Sequence, residues 1–328
     1  MLRRAHRDNA AVSELHRFLF DGLSVRGIHV RLDDGWQSLL ARRAAADEPW
    51  PRPVQRLAGE MAAAGVLMHA TIKWKGALIL QVYGDGPVRL AVAEVNDDLT
   101  FRVTAKVAEP VADDAGLGAM LNVHGKGRCS VTLDRADRQP GQQPYQGIVP
   151  LHDDEGRPLQ AIGPVLEHYM LQSEQLDTRL VLAADDKVAA GLLIQRLPPA
   201  SGAREDDIGR DEGYNRISHL VSTLGPDELL ALDTDALLRR LFWQERLTRF
   251  EPVAGLQAPR FQCTCSSGKV AAMLRALGRA EADGVIAEQG AVSVSCDFCL
   301  AAYRFDAVDV AEIFTPIETQ APGTRTLN

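Results

Sequence analysis

Four of the chain's five cysteines fall in one short segment: Cys263 and Cys265 in FQCTCSSGKV, then Cys296 and Cys299 in SVSCDFCLAAYRF. The pattern is C-x-C, a spacer of 30 residues, and C-x-x-C. Thiolates in two close pairs suit tetrahedral zinc, each pair supplied by one turn and the spacer bringing the turns together. None of the eight histidines lies between Cys263 and Cys299, which points to one zinc ion held by four cysteines alone. Buried free thiols rarely cluster so tightly, and a C-x-x-C oxidoreductase motif does not need the C-x-C. The segment from about 259 to 318 is too short to be secured by apolar burial. Metal binding, about 10–16 kcal/mol in small zinc peptides, is therefore expected to supply most of its folding free energy. Zinc keeps its ligands as thiolates, the species an oxidant attacks, and a neighbouring thiol stands ready to trap a sulfenic acid as a disulfide. Such a site serves either as a passive staple or as a switch. Structural zinc is the commoner case, so the chemistry alone favours the staple. The fifth cysteine, Cys129, alternates with Val131 and Leu133 in a strand pattern and reads as a small buried hydrophobe.

Composition narrows the setting. With 328 residues, 46% hydrophobic and 24% charged, the chain is long enough for one or two globular domains with cores of their own. A formal net charge of -8 repels a phosphate backbone, so no nucleic-acid partner is expected. The longest apolar run, around MAAAGVLMHATI, is broken by His69 and bounded by Glu60 and Lys73, so no membrane partner is expected either. The basic start, MLRRAHRDNAAVSELHRFLF, lacks a signal peptide's apolar stretch and cleavage site. A cytoplasmic location follows as the expectation, and there thiols are kept reduced. Gly84-Asp85-Gly86-Pro87 lacks the spacing of a phosphate loop and reads as a hairpin turn. His124 and Lys126 in NVHGKG read as a turn, and Ser173 and Glu174 in LQSEQL as a helix end. No Ser/His/Asp set or nucleotide fingerprint is present, and the chain is not expected to be an enzyme.

The elements that must position the cysteines form an α+β pattern. After a short amphipathic start, PVQRLAGEMAAAGVLMHATIKW reads as a helix behind prolines. GALILQVYGDGPVRLAVAEV reads as a hairpin, with LTFRVTAKV, GRCSVTLD and PYQGIVPL as further strands. GRPLQAIGPVLEHYMLQSEQ reads as a helix of about five turns, and LVLAADDKVAAGLLIQRLP as a second hairpin. Few helices among many strands argue against a regular βαβ series. Residues 198–216, rich in glycine, proline and charge, read as a linker or disordered loop. Three helices are expected next: around ISHLVSTL, in DELLAL, and from Thr234 through DALLRRLFWQERLTRF. Leu229, Leu230, Leu237, Leu238, Leu241 and Phe242 give them an apolar face that must be covered, and so small a segment docks only marginally. The division expected is an α+β domain over 1–198, a metastable helical linker over 199–258, a four-cysteine zinc domain over 259–318, and a frayed tail over 319–328, with fraying from about Gln320.

These residues resemble the heat-shock protein thirty-three family of redox-regulated holdase chaperones. The likeness runs through LHRFLF, VRG, YGDGPVRLAV, GKG, PYQGIVPL, YMLQSEQLDTRL, AAGLLIQRLP, FQCTCS, IAEQGAVSVSCDFC and FDAVDVAEI, nearly the whole chain. The resemblance overturns the preference for a passive staple. It implies a zinc-loaded, reduced form that is a poor chaperone, with zinc module and linker folded onto the N-terminal domain. It further implies that hypochlorous acid, or peroxide with mild heat, joins Cys263 to Cys265 and Cys296 to Cys299 and expels zinc. The linker then unfolds, and apolar surface binds unfolding client proteins without ATP, generally as a homodimer. By the same implication the faces bearing Leu229, Leu230, Leu237, Leu238, Leu241 and Phe242 cover, or form, the client-binding surface. Leu300 stands after the fourth cysteine where the family pattern leads one to expect glycine, which bears on the zinc turn and its switching threshold. SSGKVAAMLRALGRAEADG is richer in alanine and glycine than the pattern, suiting a looser, more easily oxidised module. The competing reading is a zinc module associated with nucleic acid or ribosomes. Over 259–305, however, Arg260, Lys269, Arg275, Arg279 and Arg304 are nearly balanced by Glu281, Asp283, Glu288 and Asp297, a weak footprint for it.

Overall fold

The computed structural model describes residues 13–139, 141–198 and 207–315. The readings of 199–206 as linker, of 316–318 as the end of the zinc domain and of 319–328 as tail lie outside them. The chain divides into two compact units, one up to Gln262 and one from Cys263.

The first unit runs β1 (Glu14–Phe20), β2 (Val25–Leu32), α1 (Asp34–Ala45), α2 (Arg52–Thr71), β3 (Gly76–Tyr83), β4 (Val88–Val95), β5 (Thr100–Val107), α3 (Leu117–Leu121), β6 (Arg128–Arg135), β7 (Tyr145–Pro150), α4 (Ile162–Glu174), β8 (Thr178–Ala184), β9 (Ala189–Arg196), α5 (Asp207–Ser222), α6 (Pro226–Ala231), α7 (Thr234–Phe242), β10 (Leu247–Arg249) and β11 (Arg260–Phe261). The second runs α8 (Ser267–Leu277), α9 (Arg279–Gln289), β12 (Val292–Ser295), β13 (Ala302–Phe305) and α10 (Ala307–Phe314).

Two sheets build the first unit, ordered β10-β1-β2-β9-β8 and β11-β5-β4-β3-β6-β7. Helix α2 lies between them, touching β2, β8 and β9 on one side and β3, β4 and β5 on the other. That placement explains why the helix is apolar nearly all round rather than along one stripe: Val54, Leu57, Met61, Ala63, Val66 and Leu67 are all buried. Gly59 is where the helix comes closest to the first sheet; a Cβ there would collide with Ala184 Cβ and crowd Trp36. In the β3–β4 hairpin the alternation of Leu78, Leu80 and Val82 with half-exposed residues puts one face on this core. Cys129 sits wholly buried in β6, and burial pushes its thiol up to about 12, an inert packing residue.

Strand β9 shows what the other face of the first sheet does. Its Ala189 and Leu193 join the α2 core, whereas Ala190, Leu192 and Ile194 belong to a second apolar cluster with Phe18, Phe20 and Val25. Buried on both faces, it must read as a continuous apolar run, AAGLLIQR. The cover is α5, α6, α7 and the α5–α6 connection, which contribute Tyr214, Ile217, Val221, Leu224, Leu229, Leu237, Leu238, Leu241 and Phe242, with Leu230 partly buried beside them. The Phe242 ring meets Phe20 edge-on at 4.9 Å between centroids.

Several elements depart from the sequence reading. Helix α5 reaches back to Asp207, into the stretch whose composition reads as a loop. The last helix stops at Phe242, and the chain turns to add β10 to the sheet edge, Phe18 opposite Arg249. Helix α4 has 13 residues, fewer than five turns. The stretch read as a short amphipathic start instead holds β1, β2 and α1. The glycine-rich turn at 84–87 does join β3 to β4, and Asp85 Oδ2 accepts from the His124 and Lys126 amides at 3.1 and 2.8 Å, pinning that second loop as structure.

A polar fastener accompanies the apolar cover. The Thr234 hydroxyl, first residue of α7, donates to Glu14 Oε1 at 3.0 Å and therefore accepts from His29 Nδ1 at 2.9 Å. His29 is fully buried, and its Nε2 has no partner among the described residues. Burial, reinforced by His16 and Arg31, holds its pKa down to about 3. The imidazole is thus neutral when folded and protonates near 6.5 when unfolded. Its contribution to stability is complete above pH 6.5 and is lost as pH falls toward 3, by up to about 1.4 kcal/mol per pH unit. Denaturant titrations of the reduced protein between pH 6.5 and 5 should show that slope, and His29→Gln should flatten it. An identical slope in the variant contradicts this account of the fastener.

Candidate metal centre

In the second unit, Cys263 and Cys265 lie between the end of β11 and α8, where Ser266 caps the helix by accepting from the Lys269 amide. Cys296 and Cys299 form the connection of the β12–β13 hairpin. The Cys296 amide donates to Ala301 O at 3.0 Å and the Leu300 amide to Cys296 O at 2.8 Å, curling the chain so that both thiols point one way. Leu300 is held at φ 59°, in the left-handed region where glycine is favoured. The departure noted in the sequence thus falls on the position where the backbone demands most.

The four sulfurs lie within 4.8 Å of one another, and all four cysteines are free thiols. Cys263 Sγ is 3.6 Å from Cys296 Sγ, and Cys265 Sγ is 3.3 Å from Cys299 Sγ. A tetrahedron with metal–sulfur bonds of about 2.3 Å has edges of about 3.8 Å, so the cluster needs little adjustment to hold one ion. Burial raises the pKa of Cys299 well above the ordinary thiol value, with further contributions from the neighbouring cysteines. A divalent cation offsets that cost by pairing with the thiolates, so the donor set fits a metal such as zinc. The Tyr303 hydroxyl donates to Cys265 Sγ at 3.1 Å, and this hydrogen bond, followed by burial, pushes the phenol up to about 12. Tyr303 thereby orients one sulfur from outside the cluster, a role no cysteine spacing reveals.

The shortest sulfur contacts run between the two turns and not within them. Around the cluster the fully buried apolar core is slight, Leu274, Ala282, Val292, Phe305, Val310 and Ile313, with side chains such as Val270, Ile286 and Phe314 only partly buried against it. The other candidates of the sequence reading, Leu229, Leu230, Leu237, Leu238, Leu241 and Phe242, lie in the first unit against the sheet. The sequence reading did not single out other members of that cluster, among them Phe18, Phe20, Val25 and Ile194 on the strands, Tyr214, Ile217 and Val221 on α5, and Leu224 just after it. Tyr214, Ile217, Val221 and Leu224 recur at helical intervals, a signal visible within the polar stretch.

The profile of the family described as Hsp33 protein matches residues 13–306. The chain belongs to the Hsp33 family. Among curated Hsp33 relatives, a 33 kDa chaperonin of Chromobacterium violaceum is 44% identical over 301 residues, 92% of this chain and 93% of that one. Another, from Neisseria meningitidis serogroup A, is 42% identical over 301 residues, 91% of this chain and 90% of that one. The crystal structure of the 33 kDa chaperonin (heat shock protein 33 homolog) from Thermotoga maritima matches with a TM-score of 0.70, covering 92% of this chain and 97% of that chain. At 20% identity it bears on the Hsp33 fold. No described helix is long and apolar enough to cross a membrane.

Leu300→Gly should relieve the left-handed strain and stabilise the metal-loaded unit by about 1 kcal/mol. The check is slower metal loss to a competing chelator from the reduced protein. Equal or faster loss contradicts the strain assignment.

Proposed function

We propose that this protein is an ATP-independent holdase, inactive while reduced and zinc-loaded and active when oxidised. Family membership and the chaperonin names of its relatives support the chaperone role. The observation that carries the switch is four free thiols gathered within 4.8 Å in a unit with so slight an apolar core.

Bound zinc supplies the positive charge that keeps the sulfurs as thiolates and ties the two turns together. Cys263, Cys265, Cys296 and Cys299 are its ligands in this reading. Oxidation joins Cys263 to Cys265 and Cys296 to Cys299. Each pair forms one S–S bond and gives up two electrons, and hypochlorous acid accepts them, leaving as chloride and water. Two disulfides leave no thiolate in the cluster to retain a cation. The unit then has only its small core, too little to keep it folded.

The linker follows because its own attachments are short. Phe261, the end of the two-residue β11, lies two positions before Cys263, and β10 contributes three residues to the other sheet. Loss of these strands and of α5–α7 exposes Leu229, Leu230, Leu237, Leu238, Leu241 and Phe242 together with Phe18, Phe20, Leu192 and Ile194. Unfolding client proteins bind that surface, and the oxidised form is a homodimer. Binding, not turnover, is the activity, so the reading needs no catalytic residue. A thiolate clamp stays shut only in a reducing compartment, which makes the cytoplasm the expected location.

Thermal aggregation of a client protein, followed by light scattering, tests the reading. Protein pretreated with hypochlorite should suppress aggregation near equimolar ratio, and reduced, zinc-loaded protein should not. Equal protection by both forms would mean a constitutive chaperone with a metal staple. Absence of protection in both would exclude a holdase.

A further inference from the structure

The four sulfurs are one element in unequal surroundings. Cys263, Cys265 and Cys296 are all half-buried and Cys299 is buried, so access does not rank the two members of the C-x-C pair. Tyr303 does. Among the described residues its hydroxyl is the one side-chain group outside the cluster that hydrogen-bonds a sulfur, and it donates to Cys265 Sγ at 3.1 Å. Cys263 Sγ has no such donor, and its close contact is Cys296 Sγ at 3.6 Å.

The hairpin fixes that donor in place. Tyr303 stands in β13 opposite Val294 of β12, and both side chains pack against the small core of the unit. The ring is thus anchored on the hairpin that carries Cys296 and Cys299, while its hydroxyl reaches the turn that carries Cys265. No other acceptor among the described residues competes for it. A hydrogen bond to a thiolate engages the lone pair that a nucleophile must use, so it weakens as the sulfur attacks. Losing most of a charge-assisted hydrogen bond in the transition state slows attack by about tenfold.

We propose that Tyr303 is a positioning residue that makes Cys263 the attacking thiolate of its pair and Cys265 the resolving one. With hydrogen peroxide as oxidant, Cys263 Sγ attacks one peroxide oxygen, the O–O bond breaks, and hydroxide leaves and takes up a proton to become water. The sulfur, oxidised by two electrons as the peroxide is reduced by two, is then a sulfenic acid. Cys265 Sγ gives up its hydrogen bond and attacks that sulfur; the S–O bond breaks, the S–S bond forms, and a second hydroxide leaves and is protonated to water. The attacking and resolving roles rest on the proposed redox function; the unequal reactivity of the two sulfurs does not.

Sub-stoichiometric iodoacetamide on the reduced, zinc-loaded, full-length protein, with the alkylated residue mapped by tandem mass spectrometry, reads that inequality without any oxidation. Cys263 should carry about tenfold more label than Cys265. Tyr303→Phe, which keeps the ring in the core, should raise the label on Cys265 to that on Cys263 and leave Cys296 and Cys299 unchanged. With cobalt(II) in place of zinc, the same variant should move the sulfur-to-metal charge-transfer band to lower energy, because a thiolate freed of its donor gives up an electron more readily. The visible bands of a tetrahedral site should stay where they are. Equal labelling of Cys263 and Cys265 in the unsubstituted protein, label rising on all four cysteines in Tyr303→Phe, or an unmoved charge-transfer band overturns the positioning role. Limiting peroxide with dimedone present should trap the sulfenic acid of the unsubstituted protein's C-x-C pair on Cys263. Trapping on Cys265 to the same extent or more, or on neither, overturns the attacking role alone, so failure of the redox reading and failure of the hydrogen-bond effect are separable.

Discussion

The chain from Cys263 onward cannot be secured by apolar burial, and this constraint governs the rest. Its core is Leu274, Ala282, Val292, Phe305, Val310 and Ile313, spread over three short helices and a two-stranded hairpin. Such a set falls well below what ordering that many residues requires, and in the proposed reading metal–sulfur bonds make up the difference. That reading concentrates the unit's stability in four side chains of one chemical type. Conversion of those thiolates to disulfides would then remove it at a stroke, more abruptly than any gradual loss of packing.

The first unit is constructed in the opposite way. Its main core encloses α2 between two sheets and draws on the segment after Arg196 only through the partly buried Val253 and Phe261. The second cluster does depend on it: α6 and α7, of 6 and 9 residues, are too short to be stable alone and rely, with α5, on the strand face they cover. They are held by aromatic contacts around Phe242, by the buried His29–Thr234–Glu14 chain, and by the Arg31 guanidinium donating to Leu230 O at 2.7 Å. Exposed ion pairs such as Arg216–Glu245 and Arg249–Asp235 add little each. A cover with many weak attachments over a larger core is suited to partial unfolding, which the proposed switch requires.

What the sequence disclosed follows from where each signal resides. The cysteine spacing is local, and so are the alternation of the β3–β4 hairpin and the all-round apolarity of α2; each was legible. Helix α5 was legible only in its second half, around ISHLVSTL; its first half was not, because residues such as Asp211, Glu212 and Asn215 give that stretch the composition of a loop. Tyr214, Ile217, Val221 and Leu224 matter only once a strand face lies beneath them. The end of α7 at Phe242 was equally hidden, since β10 exists through pairing with β1, more than two hundred residues earlier. The hydrogen bond of Tyr303 to Cys265 required coordinates, as it joins residues distant in sequence. Leu300 is an intermediate case: resemblance flagged the position, and its φ of 59° supplied the reason.

Zinc release, free-thiol content and amide hydrogen exchange, followed together through one oxidation time course, bear most directly on the coupling between the thiolate clamp and the helical cover. The account predicts two disulfides per zinc released, loss of protection over residues 263–315, then loss over 207–249, with α2, β3 and β4 still protected. Protection of 207–249 persisting after the zinc has gone and the thiols are consumed would contradict it.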